Sequence, residues 1–174
     1  MSAKPHEHPP DAVYGCIEAC RRCEVVAARV LERNPGAFAA VGPHLRHCID
    51  HFRLLLDDWA SGRVDYDARQ RDPRLERDPQ SVLGALGAIS ASLAAIGPAD
   101  LSRPLLVTQS VAPGRPPLAS PTCLERELAF LSGHTIHHIA LMVVSAREAA
   151  AELPRELAIA YSTGAHRDAF ASAR

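Results

Sequence analysis

Turn-forming residues divide this 174-residue chain into four apolar segments with helical periodicity. Proline lacks an amide hydrogen and has a fixed φ, so it favours the first turn of a helix or the residues beyond its end. The segment boundaries contain Asn34-Pro35-Gly36, Gly42-Pro43, Ser61-Gly62, Asp78-Pro79, Gly97-Pro98, Ser120-Pro121 and Pro154. Between these boundaries apolar residues recur at helical spacing, which predicts helices over about 11–33, 43–60, 79–96 and 122–153.

The composition also favours helices over sheets. Hydrophobic residues make up 47% of the chain but aromatic residues only 5%, whereas strands are rich in β-branched and aromatic side chains. Only residues 103–111, before a Gly- and Pro-rich turn, have strand-like character. We therefore predict an all-α four-helix bundle with a short extended or hairpin crossover between helices 3 and 4. Residues 11–174 form its single domain, and we expect residues 1–10 to be a disordered polar tail.

Charge and hydropathy exclude several classes of partner. The net charge of -1 provides no basic field for nucleic acid or for anionic lipid. The longest apolar run in the second histidine tract, residues 139–144, is far shorter than the ~20 residues of a membrane span. The polar N-terminus has no apolar core of a signal peptide, so we expect a cytoplasmic protein with no membrane or nucleic-acid partner. Its five cysteines are then expected to stay reduced.

Six of the nine histidines lie in two tracts, residues 44–51 and 134–138, on predicted helices 2 and 4. They are His44, His47, His51, His134, His137 and His138. At 100° per residue, the first three form one stripe at the border of the apolar face of helix 2. His134 and His138 are one turn apart on the apolar face of helix 4, and His137 lies at the edge of that face. The two tracts therefore place imidazoles toward the core from two helices.

Several buried imidazoles are costly unless each nitrogen has a partner, and one shared cation would satisfy several of them. Zinc, nickel, iron and manganese all accept imidazole nitrogen. Three histidines with an open coordination position would describe a catalytic site. The alternative interpretation is that each histidine is an ordinary core residue with its own hydrogen bonds. The paired spacing in both tracts favours the metal.

Three segments of the chain resemble the DinB-like (YfiT-like) family of four-helix-bundle metal proteins: VGPHLRHCIDHF, SGRVDYDARQRDPRLE and FLSGHTIHHIALM. The resemblance covers most of the chain. It implies a divalent metal held by an H-x-x-x-H pair, His134 and His138, together with His47 from helix 2 and water. His44, His51 and His137 are the alternates, and the metal is expected to be zinc or nickel, with iron or manganese as further options.

The resemblance also implies a function and an assembly. Relatives include thiol S-transferases and a mycothiol-dependent isomerase, and many are homodimers. We therefore expect a homodimeric, metal-dependent hydrolase or thiol S-transferase whose substrate is a small molecule, with a low-molecular-weight thiol as a candidate. The alternative is a non-catalytic metal-binding protein, for zinc, nickel or copper, or a stress-associated bundle protein. A third hypothesis is an inactive bundle that serves as an interaction module.

Two further motifs carry hypotheses. Glu127 lies seven residues before His134 on the same helical face, so it is a candidate proton acceptor or a partner that orients a ligand. Cys16, Cys20 and Cys23 share one face of helix 1. Stacked thiolates of this kind bind Cu(I) or zinc, but cysteine is also a common small core residue, and packing is the simpler interpretation.

Overall fold

The apolar segments of the sequence form the helices of the structure, a computed structural model that describes residues 8–172. Its helices are α1 (Asp11–Arg33), α2 (Phe38–Asp58), α3 (Pro79–Ala94), α4 (Leu124–Glu148) and α5 (Tyr161–Ser172). The first seven residues of the predicted tail lie outside the described residues. The predominantly helical fold is confirmed, and α1 has the bounds that its sequence signals predict.

A small sheet corrects the all-α prediction. Strand β1 (Arg63–Asp65) pairs in parallel with β2 (Pro104–Gln109), and β2 pairs antiparallel with β3 (Leu118–Cys123). The β2–β3 hairpin is the crossover predicted between helices 3 and 4. Strand β1 escaped prediction because three residues with a single buried side chain, Val64, show no measurable alternation.

Helices α1 and α2 each pack against both α3 and α4, around one aliphatic core. The largest fully buried side chains come from α2, α3, α4 and the turn before α3: Phe52, Leu45, Ile49, Leu55, Leu75, Leu86, Leu93, Leu124, Leu128, Leu131, Ile139 and Met142. By length and composition alone, α4 is also apolar enough to cross a membrane, as core helices often are. The absence of a membrane partner and the cytoplasmic location stay predictions. The contact between α2 and α4 positions the two histidine tracts relative to each other.

Helix α2 begins five residues earlier than the sequence predicts, at Phe38 rather than at Pro43. A 3-10 turn over Pro35–Ala37 leads directly into it, and the Asn34 side chain accepts a hydrogen bond from the Gly36 amide at 3.2 Å. Pro43 therefore lies in the second turn, where its ring removes only one backbone hydrogen bond. The earlier start gives α2 an extra turn before the histidine tract.

Candidate metal centre

The packing of α2 against α4 brings five histidine rings into one cluster, His44, His47, His51, His134 and His138. Neighbouring ring centroids in this histidine cluster are separated by 4.3 Å at the closest pair and 5.3 Å at the widest. The sixth histidine of the tracts, His137, is exposed and touches only the edge of the cluster, with its centroid 5.6 Å from that of His138. Both tracts therefore contribute to one site.

Three of these histidines are close enough to bind a metal. His47, His51 and His134 each offer a nitrogen, and the three nitrogens lie within 4.8 Å of one another. The tightest pair joins the two helices, since the Nε2 atoms of His47 and His134 are 2.9 Å apart. At this distance one neutral imidazole must donate its N–H to the other, so a single proton lies between the two nitrogens. A metal cation bound to both nitrogens would take the place of that proton.

His51 presents one specific nitrogen to the cluster. Its Nδ1 lies 2.8 Å from the His47 carbonyl oxygen, which can only accept, so Nδ1 carries the proton. Its Nε2 lies 3.1 Å from Nη1 of Arg69, which can only donate, so Nε2 carries the lone pair. A ligating histidine commonly donates its second N–H to a backbone carbonyl in this way. The donor set of the three histidines therefore fits a divalent cation.

The ligands implied by the resemblance, His47, His134 and His138, lie in the same cluster. The His138 ring centroid is 4.4 Å from that of His47 and 4.6 Å from that of His134. However, Nδ1 of His138 faces Nδ1 of His44 at 3.1 Å, in a second histidine pair between the two helices. The compact group of three contains His51, one of the alternates, in place of His138. The signal for His51 in the sequence was its position one turn after His47. The choice of third ligand stays a prediction.

Burial keeps these imidazoles neutral. It lowers the pKa of His47 to about 3 and the pKa values of His51, His134 and His138 to about 4. Neighbouring rings add to the effect, because protonating one of them would place a positive charge beside the others. Neutral imidazole is the form that ligates a metal, so the cluster is prepared for a cation near neutral pH.

Glu127 reaches the histidine cluster through Tyr66. Its buried carboxylate accepts hydrogen bonds from the Tyr66 hydroxyl at 3.0 Å and from Thr122 Oγ1 at 2.9 Å. The Tyr66 ring packs against His51, with centroids 5.4 Å apart. Burial and the adjacent carboxylate raise the pKa of Tyr66, which keeps its proton on the Glu127 hydrogen bond. The sequence predicted Glu127 near the site but could not assign Tyr66 this linking role.

A cavity of about 310 Å³ lies beside the histidine cluster, between α4 and the β2–β3 hairpin. Phe130 separates the two, since its ring lines the cavity and stacks on His134 with centroids 5.4 Å apart. The cavity wall is formed by Val107, Gln109, Ser120, Pro121, Thr122, Arg126, Glu127 and Phe130. The cavity is therefore lined by both polar and apolar side chains, can hold a small molecule and includes the Glu127 carboxylate.

The cysteine row of α1 lies apart from the histidine cluster, in the hydrophobic core. Cys16, Cys20 and Cys23 are fully buried, and the Cys16 thiol donates to the Leu128 carbonyl at 3.1 Å. Burial raises the pKa of Cys16 to about 12 and raises the pKa of Cys20 as well. Protonated thiols are poor metal ligands, so this environment supports the packing interpretation over a copper site.

Comparison of the chain with protein-family models, with curated proteins and with solved structures found no match. The DinB-like relationship therefore stays a prediction from three segments of sequence. Function has to be inferred from the chemistry of the site itself, because folds of this kind carry many activities.

Proposed function

We propose that this chain is a DinB-like divalent-metal protein that binds one cation through His47, His51 and His134. The observation that carries the proposal is the compact group of three ligating nitrogens within 4.8 Å of one another. His138, the third ligand that the resemblance implies, lies in contact with this group and is the alternative to His51. The proposal extends to zinc or nickel as the metal, because both accept an all-imidazole donor set.

Three protein ligands leave a coordination position open, which is the arrangement of catalytic rather than structural sites. A metal in such a site lowers the pKa of a bound water or thiol and so supplies a nucleophile at neutral pH. The residues around the cluster support this use. Phe130 stacks on His134 and lines the cavity of about 310 Å³, which accommodates a small molecule. The Glu127 carboxylate lies at the wall of the same cavity.

We therefore propose a metal-dependent hydrolase or thiol S-transferase, with Glu127 as the proton acceptor. The Tyr66 and Thr122 hydroxyls hold the Glu127 carboxylate in place. Tyr66 also packs on His51, so it fixes the acceptor relative to a ligand. A low-molecular-weight thiol is the candidate small molecule. The non-catalytic alternative differs in one testable property, since its metal would have no open position.

Metal content tests the ligands. Wild-type protein purified without a histidine tag is expected to contain one equivalent of metal by elemental analysis. His47→Ala and His134→Ala are each expected to weaken zinc binding more than about 100-fold, beyond the about 10–100-fold effect of residues that only orient a ligand. His137→Ala is the matched control, because its exposed ring lies outside the compact group. Unchanged zinc affinity in both His47→Ala and His134→Ala would contradict the proposal.

Two further variants identify the third ligand. We expect His51→Ala to lose zinc affinity by more than about tenfold and His138→Ala to lose less, because only His51 belongs to the compact group. The opposite order would assign the third position to His138. Far-UV circular dichroism of each variant checks that the helical content is preserved.

Cobalt substitution tests the open position. Cobalt(II) in the site is expected to develop a sulfur-to-metal charge-transfer band when a small thiol is added, because the thiolate occupies the open position. His134→Ala, loaded with the same cobalt concentration, is the control. A cobalt spectrum that no thiol or azide alters would indicate a closed coordination sphere and would favour the non-catalytic alternative.

A further inference from the structure

Arg69 is a half-buried cation held directly against the histidine cluster. It lies in the loop after β1, and its Nη1 donates to Nε2 of His51 at 3.1 Å. The part of the chain that the structure describes gives Arg69 no salt bridge. A guanidinium has five N–H donors and stays charged at any ordinary pH. Arg69 therefore has donors that no carboxylate among residues 8–172 occupies.

The carboxylates around this loop are already engaged by other groups. Glu127 accepts from Tyr66 and Thr122, and Asp50 forms an ion pair with Arg46 at 3.1 Å. Asp67 accepts from the amide and the hydroxyl of Ser110 at 2.7 and 2.6 Å. The histidine cluster itself is neutral. Hydrogen bonds from neutral groups leave the charges of Glu127 and Asp67 in place, but neither carboxylate forms an ion pair with Arg69. A divalent cation on the histidine cluster would therefore add positive charge directly beside the Arg69 guanidinium.

Arg69 and the proposed metal need the same lone pair. Nε2 of His51 is the only nitrogen of that ring with a free lone pair, because Nδ1 donates to the His47 carbonyl. A cation on this nitrogen displaces the Arg69 N–H and leaves two positive groups close together. Such an arrangement is stable when an anion lies between them, and the planar guanidinium fork matches carboxylate and phosphate oxygens.

We propose that Arg69 makes this metal centre an oxyanion site, in which a carboxylate or phosphoryl group of the substrate binds between the metal and the guanidinium. The proposal rests on the proposed metal-binding function and narrows its substrate to small oxyanions. Arg126, at the wall of the neighbouring cavity, is a second positive side chain near the cluster, since it also lines a surface pocket together with His134. A thiol substrate would then carry a carboxylate or phosphoryl group in addition to its sulfur.

The experiment measures zinc affinity by chelator competition in the wild type and in Arg69→Gln. Each protein is titrated in chloride, in acetate and in methylphosphonate at equal ionic strength, with correction for zinc bound by each anion. In chloride, Arg69→Gln is expected to bind zinc about fivefold tighter, the effect of removing one competing hydrogen bond from the guanidinium to His51. An oxyanion is expected to tighten zinc binding to the wild type by a factor of about 5 to 150, typical of coupled sites, and to leave Arg69→Gln unchanged.

Two further variants separate charge from geometry. Arg71→Gln removes the same charge from an exposed position two residues away, and we expect it to behave like the wild type in every salt. Arg69→Lys keeps the charge but lacks the planar fork, so it should show less than half of the wild-type oxyanion effect on the logarithm of affinity. Tightening by both anions supports a general oxyanion site, and tightening by only one assigns the substrate group to that class.

The outcomes distinguish the oxyanion inference from the proposed metal-binding function on which it rests. Wild-type protein that binds zinc with the same affinity in all three salts, and with the same affinity as Arg69→Gln, would overturn the oxyanion inference and leave the metal site standing. Wild-type protein that binds no zinc would overturn the metal site, and the inference with it. None of these readouts depends on knowing the reaction.

Discussion

At the residue scale, the hydrogen-bonding partners of each imidazole decide what it can do. His51 uses Nδ1 to hold the His47 carbonyl and keeps a lone pair at Nε2, whereas His138 faces His44 through Nδ1. Chemically identical side chains therefore have different free nitrogens. This difference, rather than the number of histidines, separates the compact group from its neighbours.

Accessibility distinguishes the five cysteines in the same way. Cys16, Cys20, Cys23 and Cys48 are buried, and only Cys123, before α4, is half-buried. We expect a thiol-reactive dye to label one equivalent rapidly in the native protein and five after unfolding, because buried protonated thiols are poor nucleophiles.

The labelling prediction has a simple control. Cys123→Ser should abolish rapid native labelling and leave four equivalents after unfolding. Rapid native labelling of two or more thiols would show that the cysteine row of α1 opens to solvent, and it would restore the hypothesis of a thiolate metal site there.

At the element scale, local signals predict the start of α3 but not that of α4, where a strand competes. Asp78 accepts hydrogen bonds from the Gln80 and Ser81 amides, as its place before Pro79 indicates. Thr122 has the spacing of a capping residue for α4 but lies in β3, where it pairs with Leu105 and its hydroxyl donates to Glu127. Because Thr122 pairs within the sheet, α4 begins at Leu124, and the Thr122 hydroxyl donates to Glu127 beside the candidate site.

Helix α2 depends on a close backbone contact at Gly42. A Cβ atom at this buried position would overlap the backbone of Glu76, in the turn before α3. We expect Gly42→Ala to destabilise the protein by about 1–3 kcal/mol, the usual effect of overpacking, and urea unfolding would measure it.

The matched control is the same substitution at Gly84, in the exposed face of α3. A Cβ atom there meets nothing within 4 Å, so Gly84→Ala should stabilise the helix by about 0.5–1 kcal/mol. Equal effects of the two substitutions would show that the contact between α2 and Glu76 does not restrict residue 42.

At the scale of the whole molecule, folding buries neutral imidazoles that the unfolded chain would protonate. Histidine in the unfolded chain has a pKa of about 6.5. In the folded protein the pKa is about 3 for His47 and about 4 for His51, His134 and His138. Below ~6.5 the unfolded chain therefore binds more protons, so the free energy of unfolding must fall as the pH falls toward 4.

We expect the urea midpoint of the metal-free protein to decrease between pH 6.5 and pH 5, above the range in which most carboxylates titrate. The decrease should be smaller in His134→Gln, which lacks one of the buried imidazoles. A midpoint that is constant over this interval, or that rises on acidification, would contradict the buried neutral state of the cluster.

The sequence by itself determined the helical segments, the hairpin before α4 and the two histidine tracts, because helix periodicity and turn residues act within a few positions of the chain. It also predicted that His134 and His138 point inward from α4 and that His47 and His51 lie at the border of the apolar face of α2. Only the tertiary structure decided which imidazole nitrogens meet and that Tyr66 links Glu127 to His51. It also decided that Arg69 donates a hydrogen bond to Nε2 of His51. These contacts join residues far apart in the sequence, so the packing of α2 on α4 and the path of the loop after β1 set them.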